Sequence, residues 1–298
     1  MGILLERLAE KRVLVSDGAW GTMLQRAGLP VGHCPEEWNE SHPEAVRGIA
    51  AAYATAGSDL VLTNTFGGSG PKLAKMGQEG RVAELNARGV RLSLEGAPGA
   101  VVAASIGPTG EFLEPYGDLE EEEMEAVFRE QIAACLEGGA RAVCIETMSA
   151  VEEAACAVRA AKGLDASVDV SATLTFDVVP DGYRTMMGVS PARAVAALTE
   201  AGADILGSNC GNGMEQMIPL VRAFRAETEA PLLVHANAGV PELVGGETVF
   251  RQTAEAMAAH IDALLDAGAD LVGGCCGTTP DHIAAMRAAV DTRLARSA

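Results

Sequence analysis

Two short segments in the second half of the chain carry thiols flanked by glycine: Gly-Ser-Asn-Cys-Gly-Asn-Gly at 207–213 and Gly-Gly-Cys-Cys-Gly-Thr-Thr-Pro at 273–280. Each follows a short apolar run introduced by Ala-Gly-Ala-Asp, so Cys210, Cys275 and Cys276 all stand at the far end of such a run. A vicinal pair such as Cys275 and Cys276 closes into a disulfide only by straining the backbone between them. At a strand end, where the chain turns, both side chains can instead reach a common point, and Cys210 can approach it from a nearby strand. Zinc takes thiolates at about 2.3 Å, and three protein ligands with one open position is the pattern of catalytic sites. Three thiolates around Zn2+ leave about one negative charge, which suits the ion poorly to activating water. It keeps a fourth, incoming thiolate electron-rich and ionises a thiol whose free pKa is about 8.5. Alkylation of a thiol is the chemistry this set fits.

Competing readings are a redox pair, or cysteines buried as small apolar side chains. Simple burial suits Cys135, Cys144 and Cys156, which lie inside helix or strand patterns, better than it suits the trio, since packing does not require the flanking glycines. Cys34 lies in a loop beside His33 and is a weaker ligand candidate.

The elements that would position these thiols repeat eight times. Short β-branched or apolar runs fall at 13–17, 59–63, 100–105, 141–146, 168–174, 204–208, 231–236 and 270–274, separated by longer amphipathic stretches, the order of βα units. Gly57, Gly139, Gly202 and Gly268 stand at similar joints where a helix stops and a strand begins, a place that favours positive φ. One such helix is expected over 120–138, with Glu120 to Glu123 at its dipole-positive start.

Polar and glycine-rich residues gather where the strands run into helices, among them Asp17-Gly18, Asn64-Thr65, Glu146-Thr147 and Asn209-Cys210. This pattern predicts an α/β fold, a single (β/α)8 TIM-type barrel over 1–298 with its active site at the C-terminal ends of the strands. An open doubly wound sheet would gather its chemistry between two strands only.

Composition narrows the function further. A formal net charge of −19 disfavours nucleic acid and anionic lipid as partners. No stretch approaches the roughly 20 apolar residues of a membrane span, and the start, MGILLERLAEKR, places acids inside its only apolar patch. A cytoplasmic location is therefore expected, where an odd set of seven cysteines stays reduced. Hydrophobic residues are 48% but aromatics only 4%, as in many helix-covered parallel sheets.

With these residues in view, the chain resembles the homocysteine S-methyltransferase family, whose members include the homocysteine-binding barrel of cobalamin-dependent methionine synthase and betaine–homocysteine methyltransferase. The resemblance covers nearly the whole chain. It rests on DGAWGT (17–22), WNESHPEAV (38–46), TNTFGG (63–68), SIGPTG (105–110), IETMSAVEEA (145–154), TFDVVPDGYRTMMG (175–188), SNCGNG (208–213), ANAGVPE (236–242) and GGCCGTTP (273–280). It implies a zinc barrel that binds homocysteine, with Cys210, Cys275 and Cys276 matching the metal ligands. Asp17 and Glu146 match the acids that hold the substrate ammonium.

A carboxylate at the end of the first run and another at the end of the fourth could flank a cation, a plain role at the start of the following helix being the weaker alternative for each. The turn from Gly18 through Trp20 to Gly21 offers backbone N–H groups to a carboxylate. Asn64, Thr65 and Asn209 are read as groups that position the sulfur or fix the ligands, with a plain turn role equally open for each. His235 is expected to be buried and hydrogen-bonded rather than a fourth ligand.

Two methyl donors fit this resemblance. A small onium such as betaine needs an aromatic cage. Trp38 lies near one cage position of the animal betaine enzymes, but Gly67 and Thr147 replace two of their tyrosines, so Trp20, Phe66, Phe112 and Tyr116 would have to build a different cage. A methylcobalamin-bearing protein docked on the barrel mouth is the other donor. The alternatives in function are a zinc and homocysteine carrier without transfer activity, or methylation of another small thiol. A homo-oligomer is compatible with all of these.

Overall fold

A computed structural model describes residues 2–245 and 247–296; the outer ends of the expected 1–298 span and Gly246 lie outside the described residues. Eight parallel strands carry the fold: β1 (Leu14–Val15), β2 (Leu60–Leu62), β3 (Val101–Ile106), β4 (Ala142–Met148), β5 (Asp169–Leu174), β6 (Ile205–Asn209), β7 (Leu232–Ala236) and β8 (Leu271–Gly274). They pair in the order β1-β8-β7-β6-β5-β4-β3-β2. A parallel bridge between Ser16 and Leu60, with the Asp59 N–H on the Val15 carbonyl at 2.6 Å, brings β2 back to β1. Each of the eight runs read from the sequence is a strand of this barrel, and helices cover it outside. Two hairpins were not foreseen: Asp177–Val179 with Gly182–Arg184 after β5, and Glu242–Val244 with Glu247–Val249 after β7.

Alternation explains how such apolar strands make a filled barrel. Leu14, Leu60, Leu62, Val101, Ala103, Ala142, Cys144, Ile205, Leu233 and Leu271 form one buried cluster inside it, while Val61, Val143, Val170, Leu206, Val234 and Val272 belong to a second cluster that meets the helices. The helix Ile3–Lys11 presents Leu4 and Leu8 to the inner cluster and so plugs the N-terminal end. Asp169, at the start of β5, fixes that plug by accepting the N–H groups of Gly2 (3.0 Å), Leu4 (2.8 Å) and Leu5 (3.1 Å). Asp169→Ala leaves these helix-start donors without their acceptor, and we expect a loss of about 2 kcal/mol in a urea titration.

The four joint glycines adopt φ between +98° and +107°, and the helix Glu121–Gly138 opens on a capping box between Glu120 and Glu123. The aspartate of the repeated joint has a further job that the sequence reading missed. Asp59, Asp204 and Asp270 each donate their N–H to a residue of the preceding strand and accept that residue's N–H on the carboxylate. The residues are Val15 (3.0 Å), Val170 (2.7 Å) and Leu232 (2.9 Å). Lys11 and Arg287, Lys162, and Arg225 balance these carboxylates in turn. The repeat is therefore a two-point staple from each of β2, β6 and β8 to its neighbour, as well as a helix stop.

Toward the other end of the barrel the inward positions become polar. The alternation that buries Ala103, Cys144 and Leu233 brings Ser105, Glu146 and His235 to the next layer, with Thr173 and Asn209 between them; all five are buried. This layer is the floor of the site.

Candidate functional site

The three thiols meet above that floor. Cys210 follows β6 in the left-handed backbone region, at φ 61°, and its N–H donates to the His235 carbonyl at 3.0 Å. The Cys275 N–H donates to Ala236 (2.7 Å), and the Cys276 carbonyl accepts from Ala238 (2.9 Å). Strand β7 and its exit thus hold both cysteine segments from between them. The Cys210 and Cys276 sulfurs are 3.8 Å apart, and the three sulfurs lie within 4.8 Å of one another.

The GGCCGTT segment is clasped to DGAWGT from the other side. Thr278 Oγ1 accepts the Ala19 N–H at 3.0 Å and donates to the Cys275 carbonyl at 2.7 Å, while Gly277 N–H donates to Thr22 Oγ1 at 3.1 Å. Gly274 and Gly18 permit this approach, since a Cβ on either would stand 2.3 or 2.7 Å from Thr278 Oγ1.

Mutual hydrogen bonding splits the ionisation of the trio. Cys275 and Cys276 both donate toward Cys210, which pulls its thiol far below the ordinary range, and the same bonds push the other two up, Cys276 to about 12. A thiophilic divalent ion that binds the trio as thiolates must displace the protons they keep, so its apparent affinity should rise with pH between about 6.5 and 8. Chelator competition across that range checks the direction; an affinity independent of pH contradicts it.

Two acids stand beside the trio. Burial pushes the Glu146 carboxyl up to about 7, helped by the nearby charges of Asp17 and Cys210, while Ser105 Oγ donates to it at 2.5 Å. Burial also pushes Asp17 up to about 7, against hydrogen bonds from the Leu62 N–H (2.7 Å) and the Trp20 indole (2.9 Å). Neither acid opens a helix: Glu146 lies within β4, and the helix after Asp17 spans Trp20–Arg26 with Ala19 at its N-cap and no side-chain cap. Asp17 instead bridges β1 to β2 through Leu62.

Glu146, Gly18, Trp20, Gly21, Asn64 and all three cysteines line one cavity. Asp17 and Asn209 are buried behind that lining, hydrogen-bonded to Trp20 and Glu146 respectively. Thr65 is fully buried, its hydroxyl on the Ser105 carbonyl at 2.8 Å, so it braces the wall. The Asn64 amide donates to the Pro35 carbonyl (2.7 Å) and to Asn39 (2.9 Å), which fixes the loop above β2. Trp38 is buried, packs on His42 at 4.2 Å between ring centres, and is not among the residues that line the cavity. Among the aromatic candidates Trp20 and Phe66 line the cavity.

His235 is buried as expected, but the expectation of a satisfied imidazole is corrected: among the described residues its Nε2 has no partner, and burial lowers its pKa to about 4, so the ring is neutral. Cys135, Cys144 and Cys156 are buried in the core, as is Cys34, whose thiol donates to Glu36 at 3.4 Å.

Sequence reasoning missed Ser105, Thr173 and Glu36. The first two are readable from strand alternation once the inward face is known. Glu36 is signalled by no pattern; it accepts the Gly67 N–H at 2.7 Å and holds the 35–37 turn against the loop after β2.

The profile of the homocysteine S-methyltransferase family matches residues 14–290. The chain belongs to the homocysteine S-methyltransferase family. Relatives within it include the methionine synthase of Mycobacterium leprae, 34% identical over 305 aligned positions, and that of Mycobacterium tuberculosis, 33% identical over 308. Each match covers 96% of this chain but 25% of the methionine synthase, so the chain spans about a quarter of those relatives.

The metallated homocysteine methyltransferase MmuM of Escherichia coli superposes with a TM-score of 0.80 over 96% of this chain and 99% of its own, at 23% identity. The carboxyl transferase domain of Rhizobium etli pyruvate carboxylase also superposes over 96% of the chain and 48% of its own, with a TM-score of 0.53 at 17% identity. At such identities the likeness is one of fold. No described helix of this homocysteine S-methyltransferase family member is long and apolar enough to cross a membrane.

Proposed function

We propose that the protein transfers a methyl group to the thiol of homocysteine, forming methionine, with Zn2+ held by Cys210, Cys275 and Cys276. The observation that carries this reading is the spacing of the sulfurs. Zn–S bonds of about 2.3 Å in a tetrahedron put sulfurs about 3.8 Å apart, which is the separation of Cys210 and Cys276. Bound there, the ion lowers the pKa of the incoming thiol and leaves it nucleophilic.

The chain's own residues bind and orient the amino-acid end. Glu146, with the neighbouring Asp17, supplies negative charge for the ammonium; burial first, and the charges of Asp17 and Cys210 after it, have raised the Glu146 pKa, so a bound cation would be favourable there. The Gly18–Gly21 turn offers its N–H groups to the carboxylate, except that of Ala19, which Thr278 takes, and the buried Ser105 and Asn209 hold Glu146 in place. Orientation of thiol and donor, together with exclusion of water, is then the protein's main contribution to rate. We place this reaction in the cytoplasm, where the three thiols stay reduced, and read 1–298 as one domain.

The methyl donor has two readings. Exposed apolar side chains, Phe112, Tyr116, Val178, Met186 and Leu243, lie on segments that leave β3, β5 and β7 at the mouth end, which favours a donor carried by a docked methylcorrinoid protein. Trp20 and Phe66 within the cavity favour a small onium such as betaine. Incubating the zinc-loaded protein with homocysteine and, in turn, betaine, S-methylmethionine, methylcobalamin and methyltetrahydrofolate tests both. Methionine from one of them supports transfer. Binding of zinc and homocysteine with no methionine from any would make the protein a carrier, and product only with another thiol would change the substrate.

A further inference from the structure

Asn209 joins the two halves of the site through a single amide. Its Oδ1 accepts the Thr147 N–H at 2.7 Å and the Thr173 hydroxyl at 2.8 Å. A backbone N–H can only donate, so the amide orientation is fixed and its Nδ2 must face the other way. Nδ2 has two hydrogens and three acceptors in reach: Thr147 Oγ1 at 2.7 Å, Glu146 Oε2 at 3.3 Å and Cys275 Sγ at 3.9 Å. The short bond to Thr147 takes one hydrogen. The other lies between the carboxylate assigned to the substrate ammonium and a sulfur assigned to the metal.

The fold invests in this arrangement. Thr147 sits at φ 60°, a backbone region a β-branched residue rarely occupies, where the register of β4 against β5 shifts between Ile145 and Met148. Both its N–H and its hydroxyl are thereby turned onto Asn209.

We propose that Asn209 is a positioning residue that couples occupancy of the amino-acid subsite to the electron-donating power of Cys275. With the subsite empty, the shared hydrogen is held by the Glu146 carboxylate. An ammonium bound to Glu146 satisfies that charge and releases the hydrogen to Cys275. An N–H bond onto a ligating thiolate withdraws electron density from it, so a metal held by the trio becomes more electrophilic as the amino acid arrives, when the substrate thiol must ionise. The proposal rests on the assignments of the preceding section.

The test uses Co2+ in place of Zn2+, because sulfur-to-cobalt charge-transfer absorption reports thiolate donor strength, and L-norleucine, which has the amino-acid end without a thiol. In the wild-type protein, saturating norleucine should move the band to higher energy. Asn209→Ala should still bind one Co2+ per chain and show no shift when norleucine, followed by calorimetry, is bound. Thr147→Ala gives a second variant should the first fail to fold: it removes the hydroxyl that holds one amide hydrogen and so aims the other, and the norleucine shift should shrink well below the wild-type one, an undiminished shift overturning the proposal. A wild-type band that does not move while norleucine binds overturns the coupling, as does an equal shift in Asn209→Ala. Failure of norleucine to bind the wild-type protein at all would instead remove the amino-acid subsite, and the proposal with it.

Discussion

Cys276→Ala should purify folded, hold well under one zinc per chain, and lose methionine formation by at least about a thousandfold. The estimate follows from the neighbours of metal ligands, whose loss typically costs about 10- to 100-fold in affinity or activity; removing one sulfur of three costs more. Folding should survive because Cys276 is only partly buried and lies outside the hydrophobic clusters, while the segment is still held by the Ala238 N–H on its carbonyl and by the Thr278 clasp. Metal content by mass spectrometry, circular dichroism and the methylation assay, measured on one preparation, separate the outcomes. Full zinc with full activity would exclude Cys276 from the site.

Glu146→Gln has the second largest expected effect, and it has opposite signs for activity and stability. Truncating one partner of a buried charge pair costs about 2 to 5 kcal/mol, so kcat/KM for homocysteine should fall about 30- to several-thousandfold, most of it in KM. Stability should move the other way. Burial raises the Glu146 pKa in the folded protein from 4.5 to about 7. The folded state therefore holds a proton that the unfolded chain has released, and wild-type stability falls as pH rises through that window. The difference corresponds to at most about 3 kcal/mol. Urea titrations of the two proteins should coincide near pH 4, diverge as pH rises from 4.5 and be fully separated above pH 7, with Glu146→Gln the more stable. A variant less stable at pH 8, or one with unchanged KM, contradicts the account of Glu146 as a buried acid awaiting a cation.

Much of this was readable from residues because the features involved are local. A strand's inward and outward faces follow from alternation, and Gly57, Gly139, Gly202 and Gly268 announce positive φ where a helix must stop. The convergence of Cys210 with Cys275 and Cys276 was also accessible, since parallel strands in a barrel put every C-terminal end at one mouth.

What escaped reading depends on contacts between distant segments. Thr65 and Asn64 have the polar character of site residues, and the partners that hold their hydroxyl and amide, a carbonyl of β3 and the 35–39 loop, are ones that no spacing rule supplies. Asp17 looked like a free carboxylate or a helix cap, whereas its strand is so short that the side chain finishes the pairing to β2. The turned backbone at Thr147 and the open Nε2 of His235 are likewise products of packing, as is the Asp staple hidden inside an obvious repeat.

The claim on which the rest depends is that three cysteine sulfurs hold one zinc and leave a position for the substrate thiol. X-ray absorption at the zinc edge of the reduced protein, with and without homocysteine, tests it directly. Three sulfurs and one lighter atom near 2.0 to 2.3 Å, becoming four sulfurs when homocysteine is added, is the predicted result. A shell dominated by nitrogen or oxygen, or a sulfur count that homocysteine leaves unchanged, would contradict it.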